Sequence, residues 1–369
     1  MNIIVTAGGT GGHIYPALAI INKFKEKEKD LNVLYIGTET RMEKDIIPKH
    51  NIKYIPIKIH GFSKTNFKRN IKNIFFIKKA YKECLKIIDD FKPDVVIGAG
   101  GYVTYPVLKA AKTRKVKTFI HEQNSIPGKT NKYLARGIDL VGISFKNSKV
   151  HFRGAKEVFY SGNPCESNAK ETPVIKKETL GFTKNKKLII VVGGSLGSNT
   201  LNEKFKMFLE LSATEDYELL YITGKNHYDN FIKDFKAPSN VKVLPYLENL
   251  PGLMKEADLI ISRAGASTIS EILALELPSI LIPSPYVANN HQYYNALDLV
   301  NLGVSTLVEE KKLTVDKLLI EITDILNNKN KLKTIKSNFK KHNTTSSSDL
   351  IYNKIMELLK KWSISPKKT

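Results

Sequence analysis

The chain is poor in cysteine, lacks any long apolar run and holds far fewer acids than bases. Its 369 residues include two cysteines, Cys84 and Cys165, too few for a disulfide framework and without metal-ligand spacing. Such a chain suits a reducing compartment, and both thiols are expected to be packing residues. No hydrophobic stretch approaches the ~20 residues that a membrane-spanning helix needs. Met1-Asn2 leads straight into a strand-like segment, so no secretory signal is expected and the chain is read as cytosolic. Zinc-finger spacing, a helix-turn-helix signature and an aromatic RNA-binding motif are also missing, which leaves nothing but charge to favour nucleic acid as a partner.

Positive charge is abundant. With 58 Lys and Arg against 36 Asp and Glu the formal net charge is +22, and self-repulsion of that size favours an anionic partner: nucleic acid, an acidic membrane surface or a phosphorylated substrate. A hydrophobic content of 42% in a chain this long supplies more than one usual core, so two domains are expected.

Short β-type runs alternate with longer amphipathic stretches. Strands are expected at residues 3–5, 33–36, 95–97, 118–120 and 140–143, then, after a polar lysine-rich linker reaching Lys187, at 188–192, 218–222, 241–244, 258–261 and 279–282. Each is followed by turn residues, the pattern of parallel sheets covered by helices on both faces. The expected architecture is therefore α/β, with two doubly wound, Rossmann-like domains facing a central cleft. The boundaries fall at 1–162 and 163–346, with a final helix over about 347–369 packing back on the first domain. Binding loops of such sheets lie beyond the carboxyl ends of the strands.

The segment Thr6-Ala7-Gly8-Gly9-Thr10-Gly11-Gly12-His13 follows the first strand. Its glycines let a bulky anion approach the backbone, and the next helix aims free N–H groups at the gap. A dinucleotide site is the competing reading, but that fingerprint would need glycine at Ile14, and Glu39 is the only acid near the end of the second strand. A second glycine loop, Gly98-Ala99-Gly100-Gly101-Tyr102-Val103-Thr104, follows a later strand, and the two together can cradle a pyrophosphate. In the loop after residue 120, His121 and Glu122 are read as braces, and Asn124 offers an amide to a sugar.

The second domain carries Gly193-Gly194-Ser195-Leu196-Gly197-Ser198, a further anion-binding helix start, and then Arg263-Ala264-Gly265-Ala266-Ser267-Thr268-Ile269-Ser270-Glu271. A helix is expected to begin near Ser267, with Glu271 one turn in and able to accept both hydroxyls of a ribose. Alternatively Glu271 is a capping-box acid. The next helix opens at Asn290-His291-Gln292-Tyr293-Tyr294-Asn295.

Seven segments in order, residues 6–13, 37–43, 98–104, 121–124, 193–197, 264–271 and 291–295, together resemble the bacterial cell-wall N-acetylglucosaminyltransferases that convert lipid I to lipid II, the MurG family. The likeness runs from Met1 to about Gly303. It implies a GT-B glycosyltransferase with UDP-N-acetylglucosamine as donor and membrane-borne undecaprenyl-diphospho-muramoyl-pentapeptide as acceptor, working at the cytoplasmic face of the cell membrane, with other wall-synthesis proteins as partners. By position, Thr10, Gly11, Gly12, Asn124, Ser195, Arg263, the stretch Ala266, Ser267, Thr268, Ile269, Ser270 and Glu271, and Gln292 correspond to donor contacts. Gly8, Gly9, Gly100, Gly101 and Tyr102 would hold the acceptor pyrophosphate, and His13 matches a histidine important for catalysis, either as base or as a phosphate ligand. One departure stands out. Many relatives place an arginine shortly after Gly-Asn-Pro, whereas Cys165-Glu166 follow Pro164 here, and a carboxylate cannot neutralise a diphosphate; Arg263 or Lys225 is left to supply that charge.

No acidic metal-binding pair stands beside the donor motifs, so no metal and no cofactor are expected. Projected at 3.6 residues per turn, residues 71–88 put Ile74, Ile77, Tyr81, Cys84, Leu85 and Ile88 on a core face. Phe76 falls opposite, among Lys72, Lys79 and Lys86, and with Phe75 is expected to form a membrane patch that Phe62, Phe67, Lys64, Lys68 and Arg69 extend. A soluble UDP-N-acetylglucosamine 2-epimerase on the same fold is the alternative activity; it would use the donor motifs but neither the paired glycine loops nor a lipid-facing patch.

Overall fold

The computed structural model describes residues 1–62, 67–193, 197, 199–341 and 346–364. It divides into two compact units, Met1–Cys165 with Thr345–Thr369, and Glu166–Thr344.

Seven parallel strands build the first unit: β1 (Asn2–Thr6), β2 (Asn32–Thr38), β3 (Lys53–Ile57), β4 (Val95–Gly98), β5 (Lys117–Glu122), β6 (Leu140–Ile143) and β7 (Glu157–Tyr160). Their order across the sheet is β3-β2-β1-β4-β5-β6-β7. Successive side chains of a strand point to opposite faces, and both faces are covered here. Ile4, Ile36, Val96 and Ile120 pack with Ala80, Cys84 and Ile88 of the helix Phe67–Phe91 and with Val107 and Ala111 of the helix Thr104–Thr113. Ile3, Val5, Tyr35 and Ile97 face Ile14, Leu18 and Ile21 of the helix Gly11–Lys27.

The same second face receives the helix Ser347–Ile364, whose Ile351 and Ile355 are fully buried. Burial of two such side chains is worth roughly 3–6 kcal/mol. Phe24 meets Tyr352 edge to face at 5.1 Å, the Tyr352 hydroxyl donates to Glu28, and Lys23 pairs with Asp349 at 3.5 Å. These contacts fasten the last helix of the chain to the first.

The second unit repeats the plan with β8 (Lys187–Val192), β9 (Tyr217–Ile222), β10 (Val241–Leu244), β11 (Leu259–Ser262), β12 (Ser279–Leu281) and β13 (Ser305–Leu307) in the order β10-β9-β8-β11-β12-β13, again all parallel. In each sheet the strand order reverses between the first and fourth strands, β1 and β4 in one unit, β8 and β11 in the other. Ligands of doubly wound sheets bind at this switch point, and all four glycine-bearing loops of the sequence follow one of these four strands.

Strands β3, β7 and β13, absent from the sequence expectation, are edge strands with partly exposed residues. Pro56 sits inside β3, a position that edge strands tolerate. Cys84 and Cys165 are free and buried, as packing residues should be, and burial pushes the Cys84 thiol up to about 12.

The amphipathic helix departs from the projection at its first half. Ile74, assigned to the core face, is 49% exposed, while Phe76 is half-buried, edge-on to His60 at 5.6 Å and beneath Lys58 at 5.2 Å. The cause is the segment before the helix: Asn73 is buried and grips the backbone of His60 from both sides, accepting from its N–H at 3.0 Å and donating to its carbonyl. That rotates the stripe Ile71, Ile74 and Phe75 outward, with Phe75 67% exposed; Phe62 is exposed as well. Lys68, Lys72, Lys78 and Lys79 are exposed around it. Lys64 and the side chains of Phe67 and Arg69 lie outside the described residues.

Candidate active site

At the first switch point the loops after β1 and β4 are laced together. Gly8 N–H donates to Gly100 O at 3.1 Å and Ala99 N–H to Thr6 O at 3.0 Å. The fit is backbone against backbone: a Cβ on Gly101, whose φ is +91°, would overlap the Gly8 carbonyl, and one on Gly100, with φ of +106°, would stand 2.6 Å from Cδ2 of His13. Glycine is required at both places, because L side chains avoid that backbone region and no space exists for one.

His13 opens the helix Gly11–Lys27 and lies across Gly100. Its Nδ1 is 3.0 Å from the Gly8 carbonyl oxygen. A carbonyl only accepts, so Nδ1 carries the hydrogen in this bond, and in that tautomer the ring lone pair belongs to Nε2.

Gly8 and Gly9 differ from expectation. Their amides are already engaged inside the protein, Gly8 with Gly100 and Gly9 with Glu43 Oε2 at 3.0 Å, so neither is open to a diphosphate. The open donors lie one step on. Gly11 and Gly12 are the first residues of a helix and have no carbonyl four residues back within it, and Thr10 is an exposed N-cap whose side chain makes no capping bond.

Glu43 carried no role in the sequence reading. It is fully buried and accepts from Gly9 N–H, from Thr38 N–H at 3.1 Å and from the Thr38 hydroxyl at 2.6 Å. The absence of side chains at Gly8 and Gly37 makes room for it. The available signal was an acid within the segment 37–43 of an otherwise glycine-led motif.

The loop after β5 is braced as expected. Glu122 is buried and accepts from Asn124 N–H at 3.1 Å, Gly128 N–H at 3.2 Å and Asn131 Nδ2 at 2.9 Å. Desolvation outweighs those bonds and raises its carboxyl above the usual range. His121 accepts at Nδ1 from Gln123 at 3.1 Å and donates from Nε2 to Gly162 O at 3.0 Å. Both nitrogens are thus used by a neutral ring, and burial lowers its pKa to about 4. Asn124 leans on Glu122 Oε1 through Nδ2 at 3.3 Å.

In the second unit the helix Ala266–Ala274 begins directly beyond β11, one residue earlier than expected, with Gly265 as N-cap and no side-chain cap. Ser267, Thr268 and Glu271 are spaced to share one face of it. Among the described residues the Ser267 hydroxyl has no hydrogen-bond partner. Desolvation raises the Glu271 carboxyl to about 7, and no hydrogen bond from the helix start reaches it, which removes the capping-box reading. Ser270 instead turns back, donating to Ser267 O at 2.7 Å. The next helix, His291–Asn301, is tied to this loop by buried Asn295, whose Nδ2 donates to Ala264 O at 3.3 Å. Gln292 accepts from Ser284 N–H at 2.8 Å through Oε1.

Arg263 is not a spare charge. It is buried, with Nη2 2.6 Å from Glu310 Oε2 and Nη1 donating to Ile282 O at 3.2 Å. Its partner already neutralises it, so it braces the loop after β11 rather than meeting a diphosphate. Lys225 is exposed, its ammonium 4.6 Å from the Tyr246 ring centre. Ser195, with Gly194, Leu196 and Ser198, lies outside the described residues; Gly197, at φ +73°, stands where a Cβ would overlap the Thr223 carbonyl.

Known proteins agree with this architecture. Residues 3–143 match the glycosyltransferase family 28 N-terminal domain, and residues 188–351 the glycosyltransferase family 28 C-terminal domain. A protein of Halalkalibacterium halodurans named UDP-N-acetylglucosamine--N-acetylmuramyl-(pentapeptide) pyrophosphoryl-undecaprenol N-acetylglucosamine transferase is 42% identical over 367 residues, which is 98% of this chain and 100% of that protein. The crystal structure of Acinetobacter baumannii MurG is similar with a TM-score of 0.75 at 27% identity, covering 96% of this chain and 99% of that one. The UDP-GlcNAc 2-epimerase of Neisseria meningitidis, bound to UDP-GlcNAc, gives a TM-score of 0.67 at 15% identity over 97% of this chain and 100% of that one, a likeness of fold alone.

Proposed function

The chain belongs to glycosyltransferase family 28 and is an N-acetylglucosaminyltransferase that moves N-acetylglucosamine from UDP-N-acetylglucosamine to lipid I, and we propose that its two switch points divide the work, the second unit gripping UDP and the first carrying the acceptor diphosphate and the base. The observation that carries this is the helix start beyond β11. Ser267 and Thr268 bring hydroxyls and first-turn amides to a phosphate, and Glu271, on the same face and within reach of a ribose, is desolvated and takes no hydrogen bond from the helix start. Gln292 adds an amide, Ser195 and Asn124 serve the donor by their place in the motifs, and Lys225 offers the positive charge that Glu166 cannot. Thr10, Gly11 and Gly12 supply donor contacts at the helix start of the first unit, while Gly100, Gly101 and Tyr102 line the acceptor side.

The 4-hydroxyl of the muramoyl sugar attacks the anomeric carbon from the face opposite UDP. A new C–O bond forms, the bond to UDP breaks with its electron pair passing to the β-phosphate oxygen, and the hydroxyl proton moves to Nε2 of His13. Helix-start amides and hydroxyls meet the charge that develops on UDP.

The stripe of Phe62, Ile71, Ile74 and Phe75 among Lys68, Lys72, Lys78 and Lys79 serves as an interfacial anchor, combining apolar insertion with attraction to anionic lipid of ~1 kcal/mol per basic residue. No helix among the described residues is long and apolar enough to cross a membrane, so the anchor lets the enzyme reach its lipid-borne acceptor at the cytoplasmic face. Incubation with labelled UDP-N-acetylglucosamine and a lipid I analogue tests the reading. Label in the lipid product with stoichiometric UDP is expected; UDP release without glycosylated lipid would refute it.

A further inference from the structure

We propose that Glu43 is a positioning residue that orients and strengthens His13 through the single peptide group joining Gly8 to Gly9, an inference that rests on His13 acting as the base. The carbonyl of this peptide accepts from His13 Nδ1 at 3.0 Å, and its N–H donates to Glu43 Oε2 at 3.0 Å. Carboxylate, amide and imidazole therefore form one hydrogen-bonded line, although Glu43 and His13 stand on different elements. Negative charge at the N–H end of an amide pushes electron density toward its oxygen and makes it a better acceptor. The relation parallels the carboxylate behind a catalytic histidine in a hydrolase triad, with a peptide interposed.

The surroundings favour this role. Three donors converge on Glu43, from Gly9 and twice from Thr38, and the side chain is removed from solvent, so its charge is not screened by water. Tyr35 and Tyr54 pack nearby, each spending its phenol on a backbone carbonyl, Ala7 O at 2.9 Å and Thr38 O at 2.6 Å. Burial and the Glu43 charge raise both phenols well above their ordinary value, so both stay neutral in the working range. Asp45 contributes a weaker field at Tyr54, and Glu39 and Arg41 stand exposed on the loop before Glu43. The first turn of the His13 helix has no acid, and the loop across the ring, residues 98–103, brings Tyr102 alone as an ionisable side chain. Glycine at positions 8 and 100 clears space for the two ends of the line.

When Nε2 receives the acceptor proton, the ring keeps the hydrogen on Nδ1 and the new positive charge faces a carbonyl backed by a carboxylate. Replacing Glu43 with glutamine keeps the size, removes the charge and leaves Gly9 or Thr38 short of an acceptor.

The test is a nitrogen-15 imidazole titration of His13 in the full chain without substrates, for the natural protein and Glu43→Gln. Expected are the Nδ1–H tautomer in the natural protein and a His13 pKa lower by about half a unit or more in the variant. The acid limb of kcat should move to lower pH with it, and turnover should fall about ten-fold, since a weaker base transfers the proton less readily. Superimposable titrations would overturn the proposal, even with reduced turnover, because loop damage alone lowers the rate without moving the titration. If the variant does not fold, the natural protein still decides: an Nε2–H tautomer rules the line out. Since the titration needs no turnover, failure of His13 as base would appear separately, in the rate of His13→Asn.

Discussion

Arg263 Nη2 stands 2.6 Å from Glu310 Oε2, and the two side chains are only 6% and 5% exposed. A residue just beyond β11, in the loop that leads into the Ser267 helix start, is thereby pinned to one just beyond β13. Removing one partner of such a pair leaves an uncompensated buried charge. Glu310→Ala is expected to lose about 3–5 kcal/mol of stability, seen as a lowered melting temperature, and to weaken UDP binding. A variant that melts like the natural protein would show that the pair does not brace the loop.

With Glu271 proposed as the ribose ligand, donor binding is expected to depend on pH. Its carboxyl is raised to about 7, and the ionised form, with both oxygens free to accept, is the better partner for two ribose hydroxyls. Nucleotide binding should therefore release a proton, and affinity should climb as pH rises through 7 and level off above it. For UDP-N-acetylglucosamine, calorimetry at pH 6 should give affinity about ten-fold below that at pH 8. Glu271→Gln should bind weakly at both. An affinity independent of pH across this range would remove Glu271 from the ribose.

His13→Asn separates loop architecture from proton transfer. Asparagine can still donate to the Gly8 carbonyl, as Nδ1 of His13 does at 3.0 Å, but has no lone pair in the place of Nε2. The expected result is a fall in kcat of roughly 10²–10⁴-fold at saturating acceptor with donor affinity unchanged. Near-normal turnover would leave His13 as a phosphate ligand or a loop support.

Membrane capture should follow exposure. Phe75 and Ile74 are exposed, whereas Phe76 is half-buried against His60 and Lys58. Paired Ile74→Ser and Phe75→Ser substitutions are expected to cut sedimentation with anionic vesicles at low salt by about ten-fold. Phe76→Ser should cost more in stability than in binding. The opposite ranking would place the anchor elsewhere.

Much of this was legible in residue order, for local reasons. Val5, Ile36, Val96 and Leu188–Val192 declare strands through their apolar runs, and parallel pairing follows from the helical stretches between them. Ser267 as the region of a helix start could be read from Gly265 and the apolar spacing that follows. The edges were harder: β3, β7 and β13 are half-exposed, so burial left a weak imprint on their composition. On the helix Phe67–Phe91 the projected core residues Ile77, Tyr81, Cys84, Leu85 and Ile88 pack as expected, whereas Ile74 and Phe76 depart from the projection because 3.6 periodicity assumes an apolar neighbour and here buried Asn73 holds the backbone of His60 in that position.

Sequence alone determined the architecture, two doubly wound units, and the loops where chemistry is found, because periodicity, glycine and helix capping act over a few neighbouring residues. The tertiary structure decided which groups in those loops remain open. Gly8 and Gly9 differ from Gly11 and Gly12 because Gly100 and Glu43, 92 and 34 positions away, claim their amides; Arg263 lost its free charge to Glu310, and His13 gained a defined tautomer from a carbonyl. A hydrogen bond between distant residues costs nothing in local pattern and leaves no trace there, so only the folded chain reveals which donors are already taken.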